Sequence, residues 1–292
     1  MAPPLAEPSR ASDYDDRGVQ AAHSVLVELG QILGPYRDSV VIVGGMVPYL
    51  LYPQVIPGHI GTLDIDLTLD PDNLDDGQYA QLIEILEGHG YERNVDPLKP
   101  FQLRRTVDLR DGGGPVPVLV DLLMPRTVRP SANRPPLVMG LRVQGVDGGE
   151  IALTNPVRLP INGEMPDGRQ NSVSLLVASI PALLVMKGYA LDGRDKQKDA
   201  YDIYFSVRNY AGGPVALATE CAALLHEPIA REGFMKISAK FRSDRDYGPQ
   251  SVVQFFGGGA DFDGMSAEQL GVDAFRQVRA WLDALGLERS AD

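Results

Sequence analysis

The stretch Gly61-Thr-Leu-Asp64-Ile-Asp66-Leu-Thr-Leu69 sets two carboxylates into an otherwise apolar run. Side chains of a β-strand alternate between its two faces, so Asp64 and Asp66 project from the same face. Two anions held side by side repel each other unless a cation lies between them. The stretch therefore predicts a strand over residues 62–69 that offers two ligands to a divalent metal ion.

A glycine pair, Gly44-Gly45, ends the β-branched run of residues 39–43. Residues 46–51 follow with a helical pattern, so the order is strand, glycine turn and short helix. Such a turn presents backbone N–H groups, which suit phosphate oxygens. Together with the two aspartates, the turn predicts a site for a nucleotide phosphate and a metal ion.

A third aspartate follows the apolar run Val116-Pro-Val-Leu-Val120 directly. Burial of Asp121 without a partner would be costly, so it needs a metal ion, a cation or a strand end. With Asp64 and Asp66 it would complete a three-carboxylate set for two Mg²⁺ ions, one on a triphosphate and one on an attacking hydroxyl. The structural alternative is that Asp121 caps its strand or pairs with Arg126.

Two predicted helices add charged groups. Lys187 lies in an otherwise apolar helix over residues 180–191, where a lone cation requires an anionic partner. In the next helix, over residues 195–209, one narrow stripe holds Asp195, Asp199, Asp202 and Ser206, opposite an apolar face. Two interpretations stay open: an ion pair from Lys187 to an aspartate that joins the helices, or a lysine on the nucleotide phosphates, with Asp202 orienting that lysine or the acceptor.

Composition is that of a globular protein that works in a reducing compartment. The chain has 292 residues, 44% hydrophobic, a net charge of −12 and one cysteine, so an internal disulfide is excluded. Its apolar runs are shorter than a membrane span needs, and its first residues lack the pattern of a secretory signal. We expect a cytoplasmic protein without membrane partners, and Cys221 packed as a small apolar residue in a helix.

The acidic net charge argues against wholesale binding to nucleic acid but leaves room for a local basic groove. Arginines are frequent in the middle third, among them Arg104, Arg105, Arg126, Arg129, Arg134, Arg142 and Arg158. They are interpreted either as an RNA-binding groove or as charges scattered over a solvated surface.

The remaining patterns complete an α+β fold, a mixed sheet flanked by helices and followed by an α-helical domain. We expect a first helix over residues 14–33 capped by Ser12 or Asp13, and a helix over 78–87. Strands 101–109 and 116–123 are expected to form a hairpin, followed by a weaker strand over 151–159. Further helices are predicted over 215–225 and 267–285. The predicted division is a disordered tail, 1–13, a catalytic domain, 14–174, and a helical domain, 175–292.

A family resemblance rests on three motifs: Gly44-Gly45, the segment Asp64-Ile-Asp66-Leu, and Lys187 followed by Lys198-Asp199-Ala-Tyr-Asp202-Ile-Tyr. In this order they resemble the nucleotidyltransferase-like AbiEii and MenT toxin group of the DNA polymerase β-like nucleotidyltransferase superfamily. The resemblance covers residues 41–70 and 181–209. Many members of the superfamily have Gly-Ser where this chain has Gly44-Gly45, so Gly45 would use its backbone N–H in place of a hydroxyl.

The resemblance implies a Mg²⁺-dependent transfer of NMP from an NTP to an acceptor hydroxyl. Asp64 and Asp66 would bind Mg²⁺, Gly44 and Gly45 would approach the phosphates, Lys187 would contact the triphosphate, and Asp202 would be essential in the active site. The implied acceptor is tRNA or another RNA, in a toxin-antitoxin or abortive-infection system with a cognate antitoxin. Two alternatives remain: a transferase that modifies a small molecule such as an antibiotic, and a catalytically degenerate binding module. His59, in the loop between the motifs, is expected to be solvated or to touch substrate.

Overall fold

The computed structural model describes residues 8–74, 76–126, 142–258 and 262–287. These residues divide into two compact units, of which the first comprises 14–47 and 61–179 and the second comprises 8–13, 48–60 and 180–287. The chain therefore enters the second unit at residue 48, leaves it after residue 60 and returns at residue 180. The predicted boundary near Ser174 falls inside a strand, shortly before that return.

The first unit is built on a mixed β-sheet. Its strands are β1 (Val40–Val43), β2 (Asp64–Leu69), β3 (Tyr91–Glu92), β4 (Gln102–Val107), β5 (Val116–Pro125), β6 (Gln144–Val146), β7 (Pro156–Glu164) and β8 (Gln170–Ala178). Within the described residues they form one eight-stranded sheet of order β3-β4-β5-β2-β1-β8-β7, with β6 beside β5. The pairs β1–β8, β2–β5 and β5–β6 are parallel, and the others are antiparallel. The predicted hairpin of β4 and β5 and the mixed sheet are confirmed.

Helices α1 (Asp16–Ile32), α3 (Asp76–Gly88) and α4 (Gly149–Thr154) complete the first unit. Val25, Leu26, Val27 and Leu29 of α1 are fully buried, and the helix packs on β5, β7 and β8. This helix begins later than expected, because the side chain of Asp15 accepts a hydrogen bond from the Gly18 N–H at 2.6 Å and so acts as the N-cap. The cap predicted at Ser12 or Asp13 is wrong, because residues 11–13 form a separate 3₁₀ turn.

The second half of the sheet departs from the sequence prediction. Residues 151–154 belong to α4, so the strand predicted over 151–159 is wrong in its first half and begins only at Pro156. The polar stretch in which the domain boundary was placed forms β8, which pairs with β7 along its whole length. Only the last residues of β8, Leu175, Val177 and Ala178, are buried, so its hydrophobic signal is short.

Six helices make up most of the described second unit. They are α5 (Ile180–Gly193), α6 (Gln197–Arg208), α7 (Gly213–Ala222), α8 (Pro228–Lys240), α9 (Tyr247–Phe255) and α10 (Ala267–Ala284). Helix α5 packs on α8, α6 on α9, and α10 on both α7 and α9. The core centres on Trp281 and Phe234, whose rings meet edge to face with centroids 5.5 Å apart. Helices α8 and α9 have no counterpart in the prediction, whereas α5, α6, α7 and α10 confirm the predicted helices.

One short helix, α2 (Met46–Leu51), begins in the first unit directly after the glycine pair and continues into the second. Cys221 is buried in α7, as expected, and burial raises the pKa of its thiol to about 12. In the described part of the chain, no helix combines the length and the apolar character needed to cross a bilayer. The predicted tail residues 1–7, and Arg129 and Arg134, lie outside the described residues.

Candidate active site

Strands β2 and β5 bring the predicted carboxylates together. They pair in parallel, with Asp66 opposite Asp121 and Asp64 opposite Leu119. Residues opposite each other in a ladder point to the same face, so Asp64, Asp66 and Asp121 share one face of two central strands. All three side chains are half-buried. The third carboxylate expected from sequence therefore lies next to the second.

The glycine turn closes against this face. Gly44 follows β1 with φ of +71°, and Val43 is the ladder partner of Asp66. A Cβ added at Gly44 would lie 2.9 Å from Asp66 Cγ and overlap the carboxylate. Only glycine both adopts this backbone conformation freely and leaves room for the acid. Gly45 is buried, and α2 starts at the next residue. Phosphate contact by either glycine stays a prediction.

Two polar side chains that the sequence analysis overlooked contact the carboxylates. The hydroxyl of Thr62 donates a hydrogen bond to Asp64 Oδ1. Gln102, the β4 partner of Asp121, donates from Nε2 to Asp121 Oδ1 at 2.9 Å. Both are nearly buried, Thr62 at 4% exposed and Gln102 at 8%. The available signal was their spacing, because Thr62 precedes Asp64 by two residues and Gln102 is a polar residue at the start of a buried strand.

The structural alternatives for Asp121 are not those expected. Asp121 lies inside β5, which continues to Pro125, so it does not cap a strand end. Arg126 instead donates to Asp147, with Nε and Oδ1 2.9 Å apart.

The carboxylates of Asp64, Asp66 and Asp121 are of the ligand type that Mg²⁺ prefers, but they do not form a complete coordination sphere. Mg²⁺ in phosphate-transfer sites is commonly held by one or two carboxylates, with water and substrate phosphates as its other ligands. The adjacent pair Asp66 and Asp121 meets that requirement, and Asp64 lies on the same face. Across the described ranges, however, no three His, Cys, Asp or Glu side chains are grouped closely enough to hold a metal ion by themselves. Water and phosphate oxygens would have to supply the rest.

Lys187 and the aspartates of α6 form a buried ionic cluster in the second unit. Lys187 Nζ lies 2.6 Å from Asp199 Oδ1 and 2.7 Å from Asp202 Oδ2. Arg194 also pairs with Asp199 at 2.7 Å, and Lys198 with Asp202 at 2.8 Å. Both aspartate side chains are fully buried. The ion pair that joins two helices is therefore present, while contact of Lys187 with a triphosphate and an active-site role for Asp202 stay predictions.

The electrostatics of the cluster are dominated by the pairing. Burial alone would raise the pKa of each aspartate, but the lysine charges outweigh it and hold the pKa of Asp199 at about 2 and that of Asp202 well below its usual range. Burial would lower the pKa of Lys187, yet attraction by the two carboxylates raises it. All three groups are therefore charged at neutral pH. Of the predicted acidic stripe, Asp199, Asp202 and Ser206 are as deeply buried as the apolar side of α6, whereas Asp195 precedes the helix and is exposed.

His59 completes the cluster, and its expected solvation is wrong. Its side chain is 1% exposed, and Nε2 lies 2.9 Å from Asp202 Oδ1. Burial, reinforced by the charge of Lys198, lowers the pKa of His59 to about 4, so the ring is neutral at pH 7. Because the carboxylate can only accept, Nε2 carries the proton and donates it. The ring also stacks on Tyr201, with centroids 5.2 Å apart.

The arginines of the middle third are engaged mostly with acids. Arg104 pairs with Glu92, Arg105 with Glu28, Arg126 with Asp147 and Arg158 with Asp38. Each of these four positive charges is offset by a neighbouring carboxylate. The scattered-surface interpretation describes them better than a basic groove does.

Comparison with known proteins finds no matching family and a weak similarity to solved structures. No protein-family profile matches the sequence. No curated protein matches it either. Among solved structures, the chain is similar to an antigenic nucleotidyltransferase-like protein from Paracoccidioides brasiliensis, with 17% sequence identity and a TM-score of 0.40 over 73% of this chain and 91% of that chain. A similarity of this size supports no conclusion about activity, and membership of the AbiEii and MenT toxin group stays a prediction.

Proposed function

We propose that the protein is a Mg²⁺-dependent nucleotidyltransferase that moves NMP from an NTP to an acceptor hydroxyl. The observation that carries this proposal is the register of β2 and β5, which sets Asp66 beside Asp121 on the face that also holds Asp64. Adjacent carboxylates on rigid central strands are suited to hard divalent cations. The glycine turn lies next to Asp66, where its backbone N–H groups would approach a phosphate group.

The reaction has a simple balance. The acceptor oxygen attacks the α-phosphorus, a new P–O bond forms, the bond to the β-phosphate oxygen breaks, and pyrophosphate leaves. Bound Mg²⁺ would supply a lowered hydroxyl pKa and charge neutralisation on the leaving group. Asp64 and Asp66 would hold the metal and so position the triphosphate. Asp121 would share in holding the metal and accept the hydroxyl proton, directly or through water.

The first experiment follows label from α-³²P NTPs in the presence of Mg²⁺. Asp66→Asn and Asp121→Asn are expected to lower transfer by about 100-fold or more, because several kcal/mol of transition-state charge stabilisation depend on the metal. Asp72→Asn removes a carboxylate from the exposed turn after β2 and should leave transfer unchanged. Absence of transfer with all four NTPs and every acceptor tested would contradict the enzymatic proposal.

For the acceptor, we propose tRNA or another RNA, with the protein acting as the toxin of a toxin-antitoxin pair in the cytoplasm. The support is the order of the sequence motifs, since four of the arginines considered for RNA binding, Arg104, Arg105, Arg126 and Arg158, are paired with acids. Total RNA and a cationic aminoglycoside should therefore be offered in parallel. Label on RNA, together with growth arrest that requires Asp66 and is relieved by a co-expressed antitoxin, is the expected result. Label on the aminoglycoside alone would favour the antibiotic-modifying alternative.

A binding module without catalysis is the second candidate. It is favoured by the finding that the side chains, within the described residues, do not form a three-ligand metal group. Such a module would bind NTP with an affinity independent of Mg²⁺ and would transfer no label. Calorimetric titration of NTP with and without Mg²⁺ separates this candidate from the enzyme.

A further inference from the structure

We propose that Thr62 and Gln102 are positioning residues that hold the metal-binding carboxylates of Asp64 and Asp121 in place. The inference rests on the proposed metal site but concerns residues to which neither the motifs nor the family resemblance assigns a role. Its basis is that each residue donates a hydrogen bond to one oxygen of its aspartate from a nearly buried position.

The orientation of the Gln102 amide is fixed by its second contact. Its Oε1 accepts a hydrogen bond from the Lys99 N–H at 3.1 Å, so Nε2 is the atom that faces Asp121. The opposite amide orientation would place an oxygen against the carboxylate and lose both bonds. Ladder pairing of Gln102 with Asp121 fixes the backbone distance as well. Gln102 therefore restricts the rotation of the Asp121 carboxylate.

Thr62 restricts Asp64 in the same way, but from the same segment of chain and not from a neighbouring strand. It lies two residues before Asp64, so its hydroxyl reaches the carboxylate from the same side of the extended chain. Gly44 leaves space for the carboxylate of Asp66. Two of the three aspartates, Asp64 and Asp121, thus have a local donor that restricts them.

Hydrogen bonds to metal-binding carboxylates normally matter for affinity. Loss of such a partner typically costs about 10- to 100-fold in metal affinity or activity, because the ligand then has to be ordered by the metal alone. A residue with only a structural role would change the unfolding midpoint and leave the metal dissociation constant of the folded protein unchanged. The two roles are therefore separable by measuring metal binding directly.

The experiment measures Mn²⁺ binding by electron paramagnetic resonance, and Mg²⁺ by competition, on the full chain without nucleotide. Thr62→Val removes the hydroxyl at nearly constant shape, and Thr62→Ser keeps it. Gln102→Met removes the donor, and Gln102→Glu keeps an acceptor for Lys99 while placing a second acid beside Asp121. Thr106→Val is the control, since Thr106 is exposed on the same strand and opposite Pro117.

We expect Thr62→Val and Gln102→Met to weaken Mn²⁺ binding by about 10-fold or more. Thr62→Ser and Thr106→Val should bind like the unsubstituted protein, and Gln102→Glu should differ from it. Equal Mn²⁺ affinity in all folded variants, with binding by the unsubstituted protein, would overturn the positioning role and leave the proposed function standing. Absence of Mn²⁺ binding at this site by the unsubstituted protein, both without nucleotide and with a non-hydrolysable NTP analogue, would instead overturn the metal site and, with it, both proposals.

Discussion

Replacement of Lys187 by methionine tests whether the buried cluster of α5 and α6 is a structural element. The ammonium group of Lys187 lies 2.6 and 2.7 Å from two fully buried carboxylates. Removal of one partner from a buried ion pair typically costs about 3–5 kcal/mol, because the other charge remains buried. Here Asp199 keeps Arg194 and Asp202 keeps Lys198. We therefore expect the lower end, about 3 kcal/mol of unfolding free energy.

The charge balance of the cluster predicts how the stability cost of a second substitution, Asp202→Asn, compares with that of Lys187→Met. Three cations, Lys187, Arg194 and Lys198, face two carboxylates, and His59 is neutral, so the cluster carries one net positive charge. Lys187→Met brings it to zero, whereas Asp202→Asn leaves two excess positive charges and removes the carboxylate that the buried Lys198 contacts at 2.8 Å. The cost of Asp202→Asn should therefore exceed that of Lys187→Met, approaching about 5 kcal/mol.

The assay is urea unfolding followed by tryptophan fluorescence. The chain has one tryptophan, Trp281, which is fully buried in α10, so the signal reports on the second unit. Lys236→Met is the matched control, because Lys236 pairs with Asp192 at 2.7 Å but is partly exposed, and such pairs contribute about 0–1 kcal/mol. A loss for Lys187→Met no larger than for Lys236→Met would refute the reasoning. An unchanged stability with a raised KM for NTP would instead favour contact of Lys187 with the triphosphate.

Acid provides an independent measure of the same cluster. The folded-state pKa of Asp199 is lowered to about 2, against about 3.9 in an unfolded chain. Its stabilising contribution is therefore complete above pH 4 and is lost as the pH falls towards 2. Lys187→Met removes the larger of the two Coulombic attractions and should move this loss to higher pH.

Three further outcomes are expected. Gly44→Ala should abolish transfer, because the added Cβ would overlap the carboxylate of Asp66. The control is Gly112→Ala, at a similar positive φ but with open space around it, which should cost only about 1–2 kcal/mol of stability. Equal activity of both variants would contradict the clash with Asp66. The folded-state pKa of His59 is lowered from 6.5 to about 4, so the second unit should lose up to about 3 kcal/mol as the pH falls through that window; His59→Asn should flatten this dependence in urea titrations. Cys221 should react with a thiol reagent only on unfolding, because it is buried and the pKa of its thiol is raised to about 12.

The strands that carry the site were predictable because their signals are local. β1, β2 and β5 are short, β-branched or leucine-rich runs with buried interiors, and their aspartates stand out against that background. The pairing of Asp66 with Asp121 was foreseen only as a chemical requirement. The order of strands is a property of the whole sheet, so the sequences of β2 and β5 alone do not predict that these two strands pair.

The parts that escaped prediction depend on partners far away in sequence. β7 and the first half of β8 are largely exposed, so neither has a buried run that would distinguish it from a loop. The sequence predicts a solvated His59, because nothing near this residue indicates Asp202, its partner 143 residues later. Gln102 was overlooked for the same reason, since its importance comes from a ladder neighbour on the other arm of the hairpin.

Residues 48–60 belong to the second unit although the segments on both sides of them belong to the first. This limits which fragments of the protein can be produced separately. Within this peptide the Tyr52 hydroxyl donates to the Ser206 carbonyl, and the Ile60 N–H donates to the Tyr201 hydroxyl. A fragment that ends at Ser179 would contain all strands of the sheet. It would lack both hydrogen-bond acceptors of residues 48–60, the Ser206 carbonyl and the Tyr201 hydroxyl. Such a fragment would expose an apolar, proline-bearing loop between its glycine turn and β2, and we expect it to be insoluble or quickly proteolysed. Separate production of the helical half would fail for the converse reason, because its buried Asp202 would lack the imidazole that comes from the other half of the gene.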